Sequence, residues 1–166
     1  MKKHILSIFL CGAKRANGLG IRQQKCADEF IREVPEMKLG ATLYIKNTVE
    51  AVEFYKEAFG LILGYNEKYP DGTFLHAELH RDGHEVFAVS ESQNDDFVNV
   101  MLASSLKESR PTMSYGINFD NEDEVKKAYS MLTEGGNVLL PLGSLPWSAC
   151  CAEVVDKYGV YWYITV

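Results

Sequence analysis

His76-Ala77-Glu78-Leu79-His80-Arg81-Asp82-Gly83-His84-Glu85-Val86-Phe87-Ala88-Val89 shares its pattern with the end of the chain, Cys151-Ala152-Glu153-Val154-Val155-Asp156-Lys157-Tyr158-Gly159-Val160-Tyr161-Trp162-Tyr163-Ile164-Thr165-Val166. Each stretch holds an Ala-Glu-apolar triplet, a glycine-containing turn and a closing apolar strand. Asp82-Gly83 is a two-residue hairpin signal, and Lys157-Tyr158-Gly159 suits a three-residue turn with glycine in the left-handed position. A pattern of this kind met twice implies a duplicated fold.

Working outward, each stretch is preceded by a strand and an amphipathic helix. In the first copy, residues 39–46 form a β-rich run. Asn47 with Glu50 reads as a capping box. Val52, Tyr55 and Phe59 then mark one helix face at spacings of three and four, and Gly60 stops the helix. Strands are expected over residues 61–69, 74–80 and 85–90. In the second copy, residues 113–119 form the strand, Asn121 and Glu124 the box, Val125, Tyr129 and Leu132 the buried stripe, and Gly135-Gly136 the stop. Residues 137–142, 147–155 and 160–166 supply three more strands. The expected class is α+β, two repeated βαβββ modules forming a curved mixed sheet around a cavity. Module one spans 38–90, a polar connector 91–111, and module two 112–166.

Residues 1–36 differ in character and are expected to be an N-terminal extension to a domain of residues 37–166. They hold seven Lys/Arg against four Asp/Glu, while the rest holds ten against nineteen. A globular part that acidic is a poor match for a phosphate backbone, so no nucleic acid is expected as partner. No apolar stretch approaches the roughly 20 residues that cross a bilayer, so no membrane association is expected. The apolar run Ile5–Leu10 is too short for the core of a secretory signal. The four cysteines, two of them adjacent at Cys150-Cys151, lack metal-type spacing and disulfide density, which suits reduced thiols in the cytoplasm.

The stretches NTVEAVEFYKEAFG, HAELHRDGHEVFAVSE, SYGINFDNEDEVKKAYSMLTEGG and DKYGVYWYI resemble the vicinal oxygen chelate superfamily, which includes glyoxalase I, bleomycin-resistance proteins and extradiol dioxygenases. The Phe54-Tyr55 helix, the HAEL strand, Pro146-Trp147 and the closing DKYGVYW look most like its PhnB-like branch. That resemblance implies a homodimer, since members commonly pair strand edges or exchange modules between chains. It also implies metal ligands at four places, which here hold Gly40, Ser114, Phe87 and Tyr163. None of these offers imidazole, carboxylate or thiolate, so neither a metal nor another cofactor is expected.

His76, Glu78 and His80 alternate along one strand and share a face, with Leu75, Ala77 and Leu79 on the other. The polar face is expected to line the cavity together with Phe87 and Val89, while His80 faces Glu85 across the hairpin. Half-solvated strands alternate in the same way without any function. Glu78 has a counterpart in Glu153, which the three-residue turn places opposite Tyr163. The leading function is metal-independent binding of a small organic molecule, with Phe87, Trp147 and Tyr163 as walls and His76, Glu78 and Glu153 as polar contacts. The alternative is an enzyme: a lyase or isomerase with Glu78 as general base, or a metal enzyme with a displaced His76/Glu78 site.

Both capped helices and both hairpins lie after Met37. Deleting residues 1–36 should therefore leave a cooperatively melting domain, checked by circular dichroism and thermal unfolding; a molten or insoluble product would give the extension a structural role.

Overall fold

The eight strands come as two four-stranded mixed sheets, one from each copy of the repeat. A computed structural model describes residues 39–94, 96–103 and 110–166; the expected extension, residues 1–36, lies outside the described residues. Module one holds β1 (Thr42–Ile45), α1 (Thr48–Phe59), β2 (Ile62–Lys68), β3 (Phe74–Arg81) and β4 (His84–Glu91), with strand order β1-β4-β3-β2. The connector contributes a short helix, α2 (Asp96–Leu102). Module two holds β5 (Tyr115–Asn118), α3 (Glu122–Leu132), β6 (Asn137–Leu145), β7 (Ser148–Val155) and β8 (Tyr161–Thr165), in the order β5-β8-β7-β6. In each sheet the first strand runs parallel to the last, and the two hairpin partners run antiparallel. The same order twice is the duplication that the sequence predicts. No helix among the described residues is long and apolar enough to cross a membrane.

The helices bury the stripes that their spacing demands. Val52, Tyr55 and Phe59 are at most 2% exposed, as are Val125 and Leu132; Ala128 completes the second stripe, while the expected Tyr129 is only partly buried against the core. Beneath them lie Ala77, Leu79 and Val89 of the first sheet and Ala152, Val154, Trp162 and Ile164 of the second, in one shared core. The rings interlock across the repeat. Trp162 meets Phe59, Phe87 and Tyr55 with centroids 4.9, 5.4 and 5.6 Å apart, and Phe59 meets Phe119 at 6.2 Å. Each such buried aromatic contributes roughly 1.5–3 kcal/mol through removal from water.

The two helix starts differ, although their sequences match. Asn121 has extended backbone and accepts from Glu124 N at 3.0 Å, as its capping box predicts. Asn47 sits in the left-handed region at φ 59 and makes no side-chain cap. Glu91, at the end of β4, takes its place. Its carboxylate accepts from Asn47 N and Thr48 N at 3.0 Å each and from Thr48 Oγ1 at 2.6 Å. Local residue types permitted a cap at Asn47, but a carboxylate delivered by the parallel neighbour of β1 satisfies more donors at once.

The connector also departs from expectation, because α2 packs on sheet two. Met101 joins Val155 and Tyr161 in a small second core, with Leu102 and Leu139 against it. Its backbone approaches so closely that a Cβ at Gly159 would lie 3.1 Å from Val98 Cα.

Asp156, after β7, is 0% exposed. Its Oδ2 accepts from Tyr55 Oη of α1 and from Trp162 Nε1, both at 2.7 Å. Its Oδ1 accepts from Tyr158 N at 2.9 Å and Val160 N at 3.0 Å. Burial pushes its carboxyl upward, opposed by those four hydrogen bonds. Replacing Asp156 by Asn puts an NH2 against donors. Each orphaned buried donor costs about 1–3 kcal/mol, so Asp156→Asn should lower stability by roughly 2–4 kcal/mol in urea unfolding monitored by Trp fluorescence.

Candidate functional site

On the face of β3 opposite the core, His76, Glu78 and His80 have side chains 37%, 25% and 24% exposed. His80 Nε2 lies 2.8 Å from Glu78 Oε2, and His76 Nε2 lies 3.7 Å from Glu78 Oε1. One carboxylate thus stands between two imidazoles. Alternate residues of an extended strand stand roughly 6.6 Å apart at the backbone, and the two imidazoles lean toward the carboxylate to close that gap. His80 pairs with Glu85 across the hairpin, as expected, yet its ring turns toward Glu78. Space for that ring exists because residue 64 is glycine. A Cβ there would sit 2.6 Å from His80 Nε2. Tyr65 places its ring 6.3 Å from that of His76 and donates to Glu67 Oε1 at 2.8 Å, a bond that raises the Tyr65 hydroxyl above its usual range.

The second cluster stands on sheet two. Glu153 faces Tyr163 across the β7–β8 ladder, as the three-residue turn predicts. Its carboxylate is already engaged. Arg110 approaches with Nε 3.2 Å from Oε2 and Nη1 3.3 Å from Oε1, and Tyr161 Oη donates to Oε2 at 2.8 Å. Burial, with Glu153 beside it, pushes the Tyr161 hydroxyl up to about 12, so it stays a donor at neutral pH. Trp147 is 72% exposed in the turn before β7, but its Nε1 donates to Tyr163 Oη at 3.0 Å. A flat apolar surface is thereby held beside a hydroxyl whose cross-strand neighbour is a paired carboxylate.

Phe87 is the clear departure. It is 2% exposed and packs on Tyr55, Phe59 and Trp162, so it belongs to the core and lines no cavity wall. A register shift between Leu79 and His80 is the cause: Leu79 pairs with Phe87, Glu78 with Ala88 and Ala77 with Val89. A shift of one residue flips every side chain beyond it to the other face, Val89 included. Module one makes its two-residue turn, Asp82 and Gly83 both at positive φ, and then a bulge. Module two makes a longer turn without one, so Ala88 is the counterpart of Tyr163.

The positions to which the resemblance assigns ligands now hold Gly40, Ser114, Ala88 and Tyr163, and their chemistry does not fit a divalent cation. Among the described residues, no group of three or more His, Cys, Asp and Glu is placed to hold one. The expected site residues therefore fall into two groups, His76 with Glu78, and Trp147 with Glu153 and Tyr163; no contact between the groups is seen among the described residues. Sequence reading missed His80's partner, Arg110 and the bond made by Tyr161. Tyr161 carried a signal, since it lies two residues from Tyr163 on one strand face, but Arg110 lies 43 residues from Glu153 and carried none.

A family model described as 3-demethylubiquinone-9 3-methyltransferase matches residues 38–165. Among solved structures, the PhnB protein from Bacillus cereus, described by the same family name, is 28% identical with a TM-score of 0.60, covering 78% of this chain and 98% of that one. Protein PA1353 from Pseudomonas aeruginosa is 21% identical with a TM-score of 0.57, covering 78% and 97%. A glyoxylase/bleomycin resistance protein/dioxygenase domain from Frankia sp. shares the fold at 14% identity and a TM-score of 0.55, covering 79% and 97%. No curated protein matches this sequence.

Phe87 offers a direct check of the placement. Phe87→Ala should lower stability by about 3–5 kcal/mol in urea unfolding, the cost of emptying a packed core site, whereas a cavity wall would lose much less.

Proposed function

The chain belongs to the 3-demethylubiquinone-9 3-methyltransferase family, within a glyoxalase/bleomycin-resistance-like fold, and on that premise we propose that it binds a small organic molecule without a metal. The observation that carries the reading is Trp147. An indole 72% exposed to water is nonetheless oriented by its bond to Tyr163, whose cross-strand partner Glu153 is paired with Arg110. Exposed aromatic surface held rigid next to one polar group suits stacking on a planar or apolar ligand while a hydrogen bond fixes its orientation. Glu78, between His76 and His80, supplies a second polar contact surface. A homodimer, in which module one of one protomer stands near module two of its partner, would bring the two surfaces together; light scattering that shows a stable monomer at micromolar concentration removes that arrangement.

The enzymatic reading keeps one specific support. Two imidazoles flanking Glu78 can hold and relay a proton, as a general base in a lyase or isomerase requires. The displaced metal site at His76/Glu78 has the same geometry behind it, with two donor types 3.7 Å apart.

Mass spectrometry of molecules that co-purify identifies the ligand, and binding of that compound should survive a chelator. Glu78→Gln should then weaken binding modestly if the carboxylate only accepts a hydrogen bond. If Glu78 is a base, turnover should instead fall on the order of 10²-fold with affinity little changed. Stoichiometric Zn²⁺, Ni²⁺ or Mn²⁺, lost together with activity on chelation and in His76→Ala, would overturn the metal-free reading.

A further inference from the structure

Neither cluster of expected site residues lines the cavity of about 510 Å3 that opens beside β1. β1 forms one wall, Pro111–Met113 and Tyr115 another, and Val98 with Met101 of α2 a third, over a floor of Val160 and Tyr161. Met101, Val160 and Tyr161 are at most 9% exposed, while Tyr44 and Met113 stand at the mouth, 72% and 67% exposed. Apart from Lys46 and Asn94, the lining is uncharged and carries no side-chain amide. Its size falls within the roughly 300–1,000 Å3 of small-molecule sites.

The backbone of β1 adds a specific feature. β1 pairs with β4 alone, at the end of its sheet. Ala41 O accepts from Ala88 N and Ile45 O from Ser92 N, both at 2.8 Å, so the odd-numbered residues turn their backbone groups toward β4. Backbone groups alternate sides along a strand. Those of Thr42 and Tyr44 therefore point to the other edge, which is the cavity side, where no strand pairs with them among the described residues. Each such residue presents an N–H next to a C=O, the arrangement that an adjacent strand satisfies in a sheet.

We propose that this cavity is a separate binding site for a flat aromatic molecule that carries a hydrogen-bond donor beside an acceptor on one edge. The edge is read by the backbone C=O and N–H of Tyr44. The ring lies among Met101, Met113 and Tyr161, where thioether sulfur and aromatic faces favour a planar apolar partner. A purely aliphatic ligand would leave the backbone pair unmet, and a cation would find no carboxylate in the lining.

The test uses the full-length protein, labelled with ¹⁵N, titrated separately with isoquinolin-1(2H)-one, a bicyclic lactam, and with naphthalene, which has the same shape and no polar edge. Saturable amide shifts are expected at Thr42, Tyr44, Gly159 and Tyr161, with the lactam bound about tenfold more tightly, the value of one or two net hydrogen bonds. Tyr44→Ala keeps the backbone pair but removes the ring, and should weaken both compounds. Tyr44→Pro, on an open strand edge where proline is tolerated, removes the donor as well as the ring and, compared with Tyr44→Ala, should erase the lactam's remaining advantage. Equal affinity of the two compounds for the native protein would overturn the proposal. So would shifts centred on His76–His80 or Trp147, no saturable shift at millimolar concentration, or a Tyr44→Ala variant that binds both compounds unchanged.

Discussion

The buried carboxylate of Asp156 is the constraint on which the two modules depend. An ionised group removed from water is costly unless every lone pair is met, and here four donors meet it. Two belong to the turn that follows, one to Trp162 in β8, and one to Tyr55 on the helix of the other module. Segments 101 residues apart are thereby fixed by one side chain. Trp162 and Tyr55 are also the largest fully buried side chains, so their polar tips and apolar bodies serve the same joint. Shifting either ring to relieve packing would break a bond to Asp156. The core therefore has little freedom to slide, and the faces that carry Glu78 and Glu153 inherit that rigidity.

Those two faces are repeats in pattern but not in chemistry. Glu153 is held by a guanidinium and a phenol, and its charge is spoken for before any ligand arrives. Glu78 is held by two imidazoles, at 2.8 and 3.7 Å. The single extra residue in β4 sharpens the contrast. It puts Ala88 across from Glu78, where module two puts Tyr163 across from Glu153. One face consequently joins a carboxylate to imidazoles, the other joins one to a guanidinium and an aromatic hydroxyl.

The fold was legible because its signals are local and repeated: helix stripes, glycine turns, and the Ala-Glu-apolar triplet. What escaped reading was non-local. Asn47 and Asn121 sit in equivalent sequences, yet only Asn121 caps its helix, since Glu91 arrives through the parallel strand pairing. The connector looked polar, but Val98, Met101 and Leu102 recur at helical spacing and gave a signal for α2 that its charged and amide neighbours obscured. Of the site, the strand alternation placed His76 with Glu78, and the turn length placed Glu153 opposite Tyr163, because both signals are geometric. Phe87 was misplaced because a bulge has no residue signature in Val86-Phe87-Ala88, where each of the three suits either face. Arg110 could not be found from sequence, since its partner Glu153 lies 43 residues away and no local spacing links the two.

The unequal helix starts also bear on the order in which the protein acquires structure. α3 carries its own cap within three residues, so its first turn can form as soon as those residues meet. The start of α1 waits for Glu91, 43 residues away, and so gains its acceptor only after β4 has docked beside β1. Closing a long loop must precede that reward, which slows formation of contacts distant in sequence. Two near-copies of one motif thus differ in kinetic character, with the second module able to nucleate early and the first helix completed by its own sheet.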